Sequence, residues 1–321
     1  MKRYSLFTRG PFVLILLAAG LFFGACAEDP DRLTVDFSRK TDVQPKTTPP
    51  PGAALNVAVA SMISPDETFV HYQALLEYLA GKVDMRINLI QRKTYAEING
   101  LLGSGGIDLA FICSGPYASG RDRYRFEALA VPLVHQKAVY RALLLTHQGS
   151  AVNRLEDLRG KVFAFSDPDS NAGCFVPSFL LAEKGERPKT FFGKTIFTYS
   201  HDNSILAVSR SLVDGAFVHE HIWEYYSLKN PAIASRVRVI YASEPFGNPP
   251  LVASASVPEP LKNRIREQLF SMHQDPRGAA ILGELLIDRF IPPDEQLYDS
   301  IRRMLVQSNI LEDGHAATAQ P

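Results

Sequence analysis

The chain reads as an α/β protein of two lobes, each a mainly parallel sheet flanked by helices, and three observations carry that reading. Strand-like apolar runs alternate with helix-period segments from residue 55 to 112, and the alternation restarts after residue 150. Beyond its N-terminal leader the chain keeps roughly 270 residues, enough for one large or two moderate domains. Strand–helix–strand–helix–strand order argues for parallel sheets with right-handed crossovers.

The leader comes first. Lys2, Arg3 and Arg9 precede an apolar stretch, Pro11 to Phe23, which ends in Phe23-Gly24-Ala25-Cys26. A basic start, a short apolar run and small residues before a cut site make residues 1–25 a secretory signal. The run is too short to span a bilayer comfortably. A Cys directly after Gly-Ala resembles a bacterial lipobox, which makes Cys26 the expected lipidated N-terminus; ordinary cleavage with an incidental Cys26 is the alternative. Residues 26–54 are polar and carry Pro49-Pro50-Pro51-Gly52, the composition of a solvated tether.

In the first lobe, Leu55 to Ala60 is an apolar strand. Phe69, Tyr72, Leu75, Leu76 and Leu79 then recur at helical spacing, and Gly81 closes that helix. Met85 to Ile90 is a second strand, Tyr95 to Leu102 a short helix, and Ile107 to Ile112 a third strand opening into Cys113-Ser114-Gly115-Pro116-Tyr117. In such a sheet functional groups gather at the carboxyl ends of strands, here the loops 61–66 and 113–117.

The second lobe repeats the plan. Strands are expected at 162–165, 194–199 and 213–218, with helices at 174–184 and 204–210 between them. His219-Glu220-His221 opens an amphipathic segment, 237–241 is a further strand, and 243–250 is a rigid turn before a strand at 251–254. Helix-like stretches near 258–273, 276–286 and 293–308 follow, with a frayed tail over 311–321. The expected division is residues 55–147 plus 249–310 for one lobe and 148–248 for the other, with hinges near 147 and 248. A cleft between lobes suits a small ligand, and hinge closure encloses it.

Charge and cysteine usage exclude several functions. The formal net charge is zero and no long basic block occurs, so no nucleic-acid partner is expected. Beyond Cys26 only Cys113 and Cys174 remain, read as two buried or half-buried thiols. No metal site is expected: zinc-type spacing is missing, and on a helix the side chains of His219 and His221 would point apart. No cofactor and no catalytic residue is indicated.

Residues 166–178 carry the strongest single signal. A strand, a small polar turn with Gly173 and an apolar helix aim free N–H groups and short side chains at one point, a ready anion site. The plainer alternative is a strand-to-helix turn capped by Ser170 or Asn171. His201, at the end of a strand, is either within a ligand's reach or a core-satisfied residue beside a helix cap.

Gly115-Pro116, the turn Asp167-Pro168…Ser170…Gly173…Val176-Pro177, and His201-Asp202-Asn203-Ser204-Ile205-Leu206-Ala207-Val208 followed by Val213-Asp214 together carry a family likeness. Over residues 55–308 the chain resembles the phosphonate/phosphite-binding components of ABC importers, which are type II periplasmic binding proteins. The resemblance implies an oxyanion held by Ser170, Asn171, Ala172 and Gly173 and by His201, with an aromatic, Phe111 or Tyr117, closing over it near Ser114. Residues 219–221, His219 among them, and the turn 247–250 would meet the ligand's substituent or its proton. The chain departs from the family where the ligand is judged. Ser-Thr-Ser-Gly becomes Ser170-Asn171-Ala172-Gly173, an acidic residue gives way to His219, and Asn-Asp-Pro becomes Asn248-Pro249-Pro250.

The implied protein is a solute-binding lipoprotein, a monomer tethered on the periplasmic side of a bacterial envelope. It would deliver a phosphonate-, phosphite- or phosphate-like oxyanion to an ABC permease in the membrane. The alternative is an envelope sensor that presents its closed form to a sensor kinase or receptor. A thiol-dependent enzyme built on Cys174 lacks the spacing of a nucleophile and base.

Overall fold

The computed structural model describes residues 54–60, 62 and 65–307. The expected leader, Cys26, nearly all of the tether and the 311–321 tail lie outside the described residues.

In the first lobe, β1 (Ala54–Val59) is apolar but for Asn56, β3 (Leu109–Phe111) is apolar throughout, and both are largely buried. They pair in parallel, and β2 (Arg86–Ile90) flanks β1, also in parallel, as a half-exposed edge. The helices α1 (Pro65–Val83) and α2 (Tyr95–Ser104) make the crossovers. Thr94 and Glu97 form a reciprocal cap at the start of α2, and Gly105, at φ 74°, ends it in the left-handed region where a side chain would be strained. The helix α3 (Ser114–Tyr124) starts directly after β3.

Three antiparallel strands complete this sheet: β10 (Leu251–Ala253) pairs with both β3 and β4 (Glu127–Leu133), and β11 (Arg289–Ile291) pairs with β4. The strand order is β11-β4-β10-β3-β1-β2.

The second sheet runs β7-β6-β8-β5-β9. Its members are β5 (Val139–His147), β6 (Val162–Phe165), β7 (Lys194–Phe197), β8 (Gly215–His219) and β9 (Val237–Gly247). The strands β7 and β8 pair with β6 in parallel, whereas β5 runs antiparallel to β8 and β9. A π-helical turn, Asn171–Phe175, precedes α4 (Val176–Ala182). A short α5 (Pro188–Phe191) leads into β7, α6 (His201–Ser209) follows it, and α7 (Glu220–Lys229) follows β8.

Both sheets are therefore mixed rather than mainly parallel. The parallel portions, β2-β1-β3 and β7-β6-β8, are the strand–helix–strand runs legible in the sequence. Four of the antiparallel strands, β4, β5, β9 and β10, flank the two passages between lobes, and β11 adds an edge to the first sheet. The first passage between sheets falls between Leu133 and Val139, earlier than residue 147, because β5 belongs to the second sheet. The return falls between Gly247 and Leu251. The stretch read as one helix over 293–308 divides into a 3-10 turn, Glu295–Tyr298, and a helix, Asp299–Gln307.

One buried apolar cluster runs through both lobes. It joins Tyr95, Ile112, Cys113 and Tyr117 of the first to Tyr140, Phe163, Phe165, Ala172 and Phe175 of the second. The lobes are thus packed face to face, strand carboxyl ends toward one another.

Candidate ligand site between the lobes

Five helical segments begin at this junction: α2 after Thr94, α3 after Cys113, the π turn after Ser170, α6 after Ser200 and α7 after His219. Each follows the carboxyl end of a strand, and their partial positive ends meet where the lobes touch. Contacts across the junction are direct. The His201 N–H donates to the Met62 carbonyl at 2.9 Å, and the Tyr95 N–H to Asp167 Oδ2 at 3.2 Å. Gly115 lies so close to the Asp169 carbonyl and the Asn171 nitrogen that a Cβ there would collide with both.

The turn at 170–173 is fully buried, and its groups are largely satisfied within the protein. Ser170 Oγ accepts from the Gly173 N–H at 3.1 Å, which makes it an N-cap. Burial raises the Cys113 thiol pKa, and the neighbouring N–H groups of Gly115 and Asn171 oppose that shift. Ala172 packs in the core, and Gly173 is pressed onto Ser166. In this closed arrangement the backbone donors expected to reach an anion face protein atoms instead.

Side chains provide what the backbone does not. Asn171 Nδ2 donates to the Tyr140 hydroxyl at 2.9 Å, and that hydroxyl also meets Ser114 Oγ at 2.8 Å. The Tyr140 ring stacks on His219, centroids 3.6 Å apart and 11° from parallel. His219 lies 6.1 Å from His201 and 5.3 Å from His221, ring to ring. Within this buried cluster Asn171 Oδ1, His201 Nε2, His219 Nε2 and His221 Nδ1 have no hydrogen-bond partner. Four such atoms together are unusual, since buried polar groups are otherwise paired, and they make this cluster the candidate site.

Their donor and acceptor roles follow from the neighbours. His219 Nδ1 accepts the His221 N–H at 3.2 Å, so a neutral His219 carries its proton on Nε2 and presents a donor. Asn248 Nδ2 donates to the carbonyls of Pro132 and Lys137, at 2.9 and 3.1 Å, which fixes its amide. Asn248 Oδ1 then accepts from His221 Nε2 at 3.3 Å, leaving His221 Nδ1 a free acceptor. Burial keeps these rings neutral: it pushes the His201 pKa down to about 4, that of His219 well below the ordinary value, and lowers that of His221. Burial also raises the Asp167 carboxyl to about 7.

Beside the imidazoles lies a cavity of about 100 Å³ with walls from both lobes. Met62, Tyr72, Phe111, Leu285, Ile287 and Phe290 come from the first, His219, His221, Ile222 and Tyr225 from the second, and Pro132, Val134, Asn248 and Pro249 from the connecting segments. Of the residues the sequence singled out, Phe111 and His219 line this cavity, as do His221 and the turn residues Asn248 and Pro249. Ser114, Asn171 and His201 belong to the adjoining hydrogen-bonded cluster.

Tyr117 does not close over the site. Its hydroxyl donates to Glu295 and its ring meets Tyr298 edge-on at 4.5 Å, because its place on α3 points it into the first lobe. The sequence reading missed Tyr140, the hub of the cluster, since a Tyr within Val-Tyr-Arg-Ala-Leu-Leu-Leu looks like any strand aromatic. It also treated His219 and His221 as two helical residues. His219 instead ends β8 and caps α7, which brings its ring beside that of His221. Both remaining cysteines are free, Cys113 buried and Cys174 half-buried.

Residues 57–298 match the family model described as ABC transporter, phosphonate, periplasmic substrate-binding protein. The chain is similar to the phosphonates-binding periplasmic protein of Escherichia coli, 23% identical over 254 residues that make up 78% of this chain and 75% of that one. Among solved structures it resembles a binding protein component of an ABC phosphonate transporter from Pseudomonas aeruginosa, with a TM-score of 0.76 and 22% identity, over 82% of this chain and 89% of that chain. It also resembles PhnD1 from Prochlorococcus marinus in complex with methylphosphonate, with a TM-score of 0.73 and 18% identity, over 80% and 98% of the two chains. These likenesses establish the type II periplasmic-binding fold.

Proposed function

The chain belongs to the periplasmic substrate-binding protein family of phosphonate ABC transporters, and on that premise we propose that it captures a small, singly charged oxyanion between its lobes and delivers it to a membrane permease. Phosphonate, phosphite and phosphate monoanions are the candidate ligands. The observation that carries this reading is the convergence of helix N-termini on a buried cluster of unpartnered, neutral side-chain atoms. The helix ends supply positive potential without a cation, and no Lys or Arg lines the cavity among the described residues.

The protonation state of the ligand follows from the same groups. A donor, His219 Nε2–H, and acceptors, His221 Nδ1 and Asn171 Oδ1, match a head group that accepts through one oxygen and donates through a protonated one. A dianion would have no proton to give the acceptors His221 Nδ1 and Asn171 Oδ1, and it would meet no counter-charge to offset its burial.

Calorimetry with phosphite, phosphate and methylphosphonate tests the site. A hydrogen bond to a charged group contributes about 1.5–3 kcal/mol, so His201→Ala should weaken binding roughly ten- to a hundredfold. Unaltered affinity in both His201→Ala and His219→Ala would place the ligand elsewhere.

The reading extends to the envelope. Cys26, once acylated, would tether a monomer on the periplasmic side, and a second acyl chain or signal is needed for stable anchoring. Membrane-bound, acylated protein after Cys26→Ser would defeat the lipid assignment.

A further inference from the structure

The wall of the cavity beside His219 bears on which oxyanions the protein selects. Phe111, Leu285, Ile287 and Phe290 on one side and Ile222 on the other are apolar, and no carboxylate lines the cavity among the described residues. The nearest acids on α7 are already engaged: Glu220 accepts the Arg141 N–H at 2.8 Å, and Glu224 pairs with His135 at 2.8 Å. Both oxygens of Asn248 are already engaged, Oδ1 by His221 and the backbone carbonyl by the Tyr298 hydroxyl at 2.8 Å.

We propose that the substituent carried by the bound oxyanion is uncharged and apolar, a short alkyl group, and not an aminoalkyl chain. This rests on the reading that the oxyanion itself sits at the imidazole cluster. An ammonium entering the cavity would be desolvated with no counter-charge beside it among the described residues, and the neutral acceptor His221 Nδ1 is taken by the head group, so its burial is costly. An alkyl tail meets ring faces and branched side chains and gains the transfer of its methylenes from water. The volume of about 100 Å³ sets the length. A water-sized group needs about 10–15 Å³ of such space, so the cavity takes a short tail of a few heavy atoms and no long chain.

Propylphosphonate and 2-aminoethylphosphonate have the same number of heavy atoms and differ chiefly in the terminal charge, so they isolate the effect. Calorimetry on the full chain at neutral pH should show propylphosphonate binding at least about tenfold tighter than 2-aminoethylphosphonate, and several-fold tighter than methylphosphonate. Ile222→Glu places a carboxylate on the wall at the third position of α7, where the helix start favours an acid. It should narrow or invert the preference; Ile222 also packs against the apolar clusters of the protein, so thermal unfolding of the free variant checks that it is folded. Equal or tighter binding of 2-aminoethylphosphonate by the parent protein overturns the inference even if Ile222→Glu fails to fold. Absence of binding by all of these phosphonates and by inorganic phosphate would instead sink the underlying oxyanion reading, and this inference with it.

Discussion

Tyr140→Phe deletes one oxygen and separates two functions of the site. The Tyr140 hydroxyl holds Asn171 Nδ2 within the second lobe at 2.9 Å and Ser114 Oγ of the first lobe at 2.8 Å. The ring, stacked on His219, is retained. Removing the oxygen strands the Asn171 amide, fully buried, without its acceptor, a cost of about 1–3 kcal/mol that appears in the unfolding of the free protein. The bond to Ser114 joins the lobes, so under the proposed closure its loss, about 0.5–1.5 kcal/mol, falls on binding. Affinity should therefore drop roughly two- to tenfold while stability drops by about 1–3 kcal/mol. Urea denaturation reads the first quantity and calorimetry with a confirmed oxyanion the second. A Phe variant that matches the parent in both would refute the placement of Tyr140 at the centre of the site.

Other outcomes follow from the same geometry. Gly115→Ala obstructs the approach of the lobes, and an overpacking cost of about 1–3 kcal/mol confined to the closed form should weaken binding roughly five- to a hundredfold. Small-angle scattering should then show a ligand-saturated variant less compact than the parent. Gly173→Ala collides with Ser166 inside one lobe and should lower stability by about 1–3 kcal/mol, measured by thermal unfolding with no ligand present. The buried imidazoles regain a pKa near 6.5 on unfolding, so the unfolded chain takes up protons as the pH falls below that value. Stability should decline by up to about 1.4 kcal/mol per pH unit for each ring, for His201 until about pH 4. Asp167 acts in the opposite sense, since its raised pKa makes the folded form hold a proton that the unfolded form releases between about pH 4 and about 7. Asp167→Asn should steepen the acid-side loss; denaturation curves at pH 7.5, 6 and 5 that coincide would contradict both assignments.

The parallel halves of each sheet were legible because a buried strand followed by a helix-period segment leaves a strong hydrophobic pattern. The turn at 170–173 stood out because small polar residues sat between such elements. What those groups contact was not legible, since Cys113 reaches Asn171 only through the packing of one lobe on the other. Tyr140 was hidden for the same reason: complete burial is compatible with core filling or with a site, and only its partners distinguish them. His219 and His221 were misread through a boundary shift of a few residues. Whether a histidine ends a strand or begins a helix decides which way its ring points.

Asn248 has a mechanical consequence. Its backbone N–H reaches the Ala138 carbonyl at 2.8 Å, and its side chain reaches the carbonyls of Pro132 and Lys137, so the two passages between lobes are fastened to each other. If the lobes turn about these passages, as the proposed capture requires, two ribbons clamped side by side would turn as one axle. The ligand cavity lies against that axle, through His221 on Asn248 Oδ1, whereas the far rims of the lobes stand at the end of the lever arm. On that proposal a small displacement at His221 would become a larger travel at the rims, the surfaces a membrane partner would read.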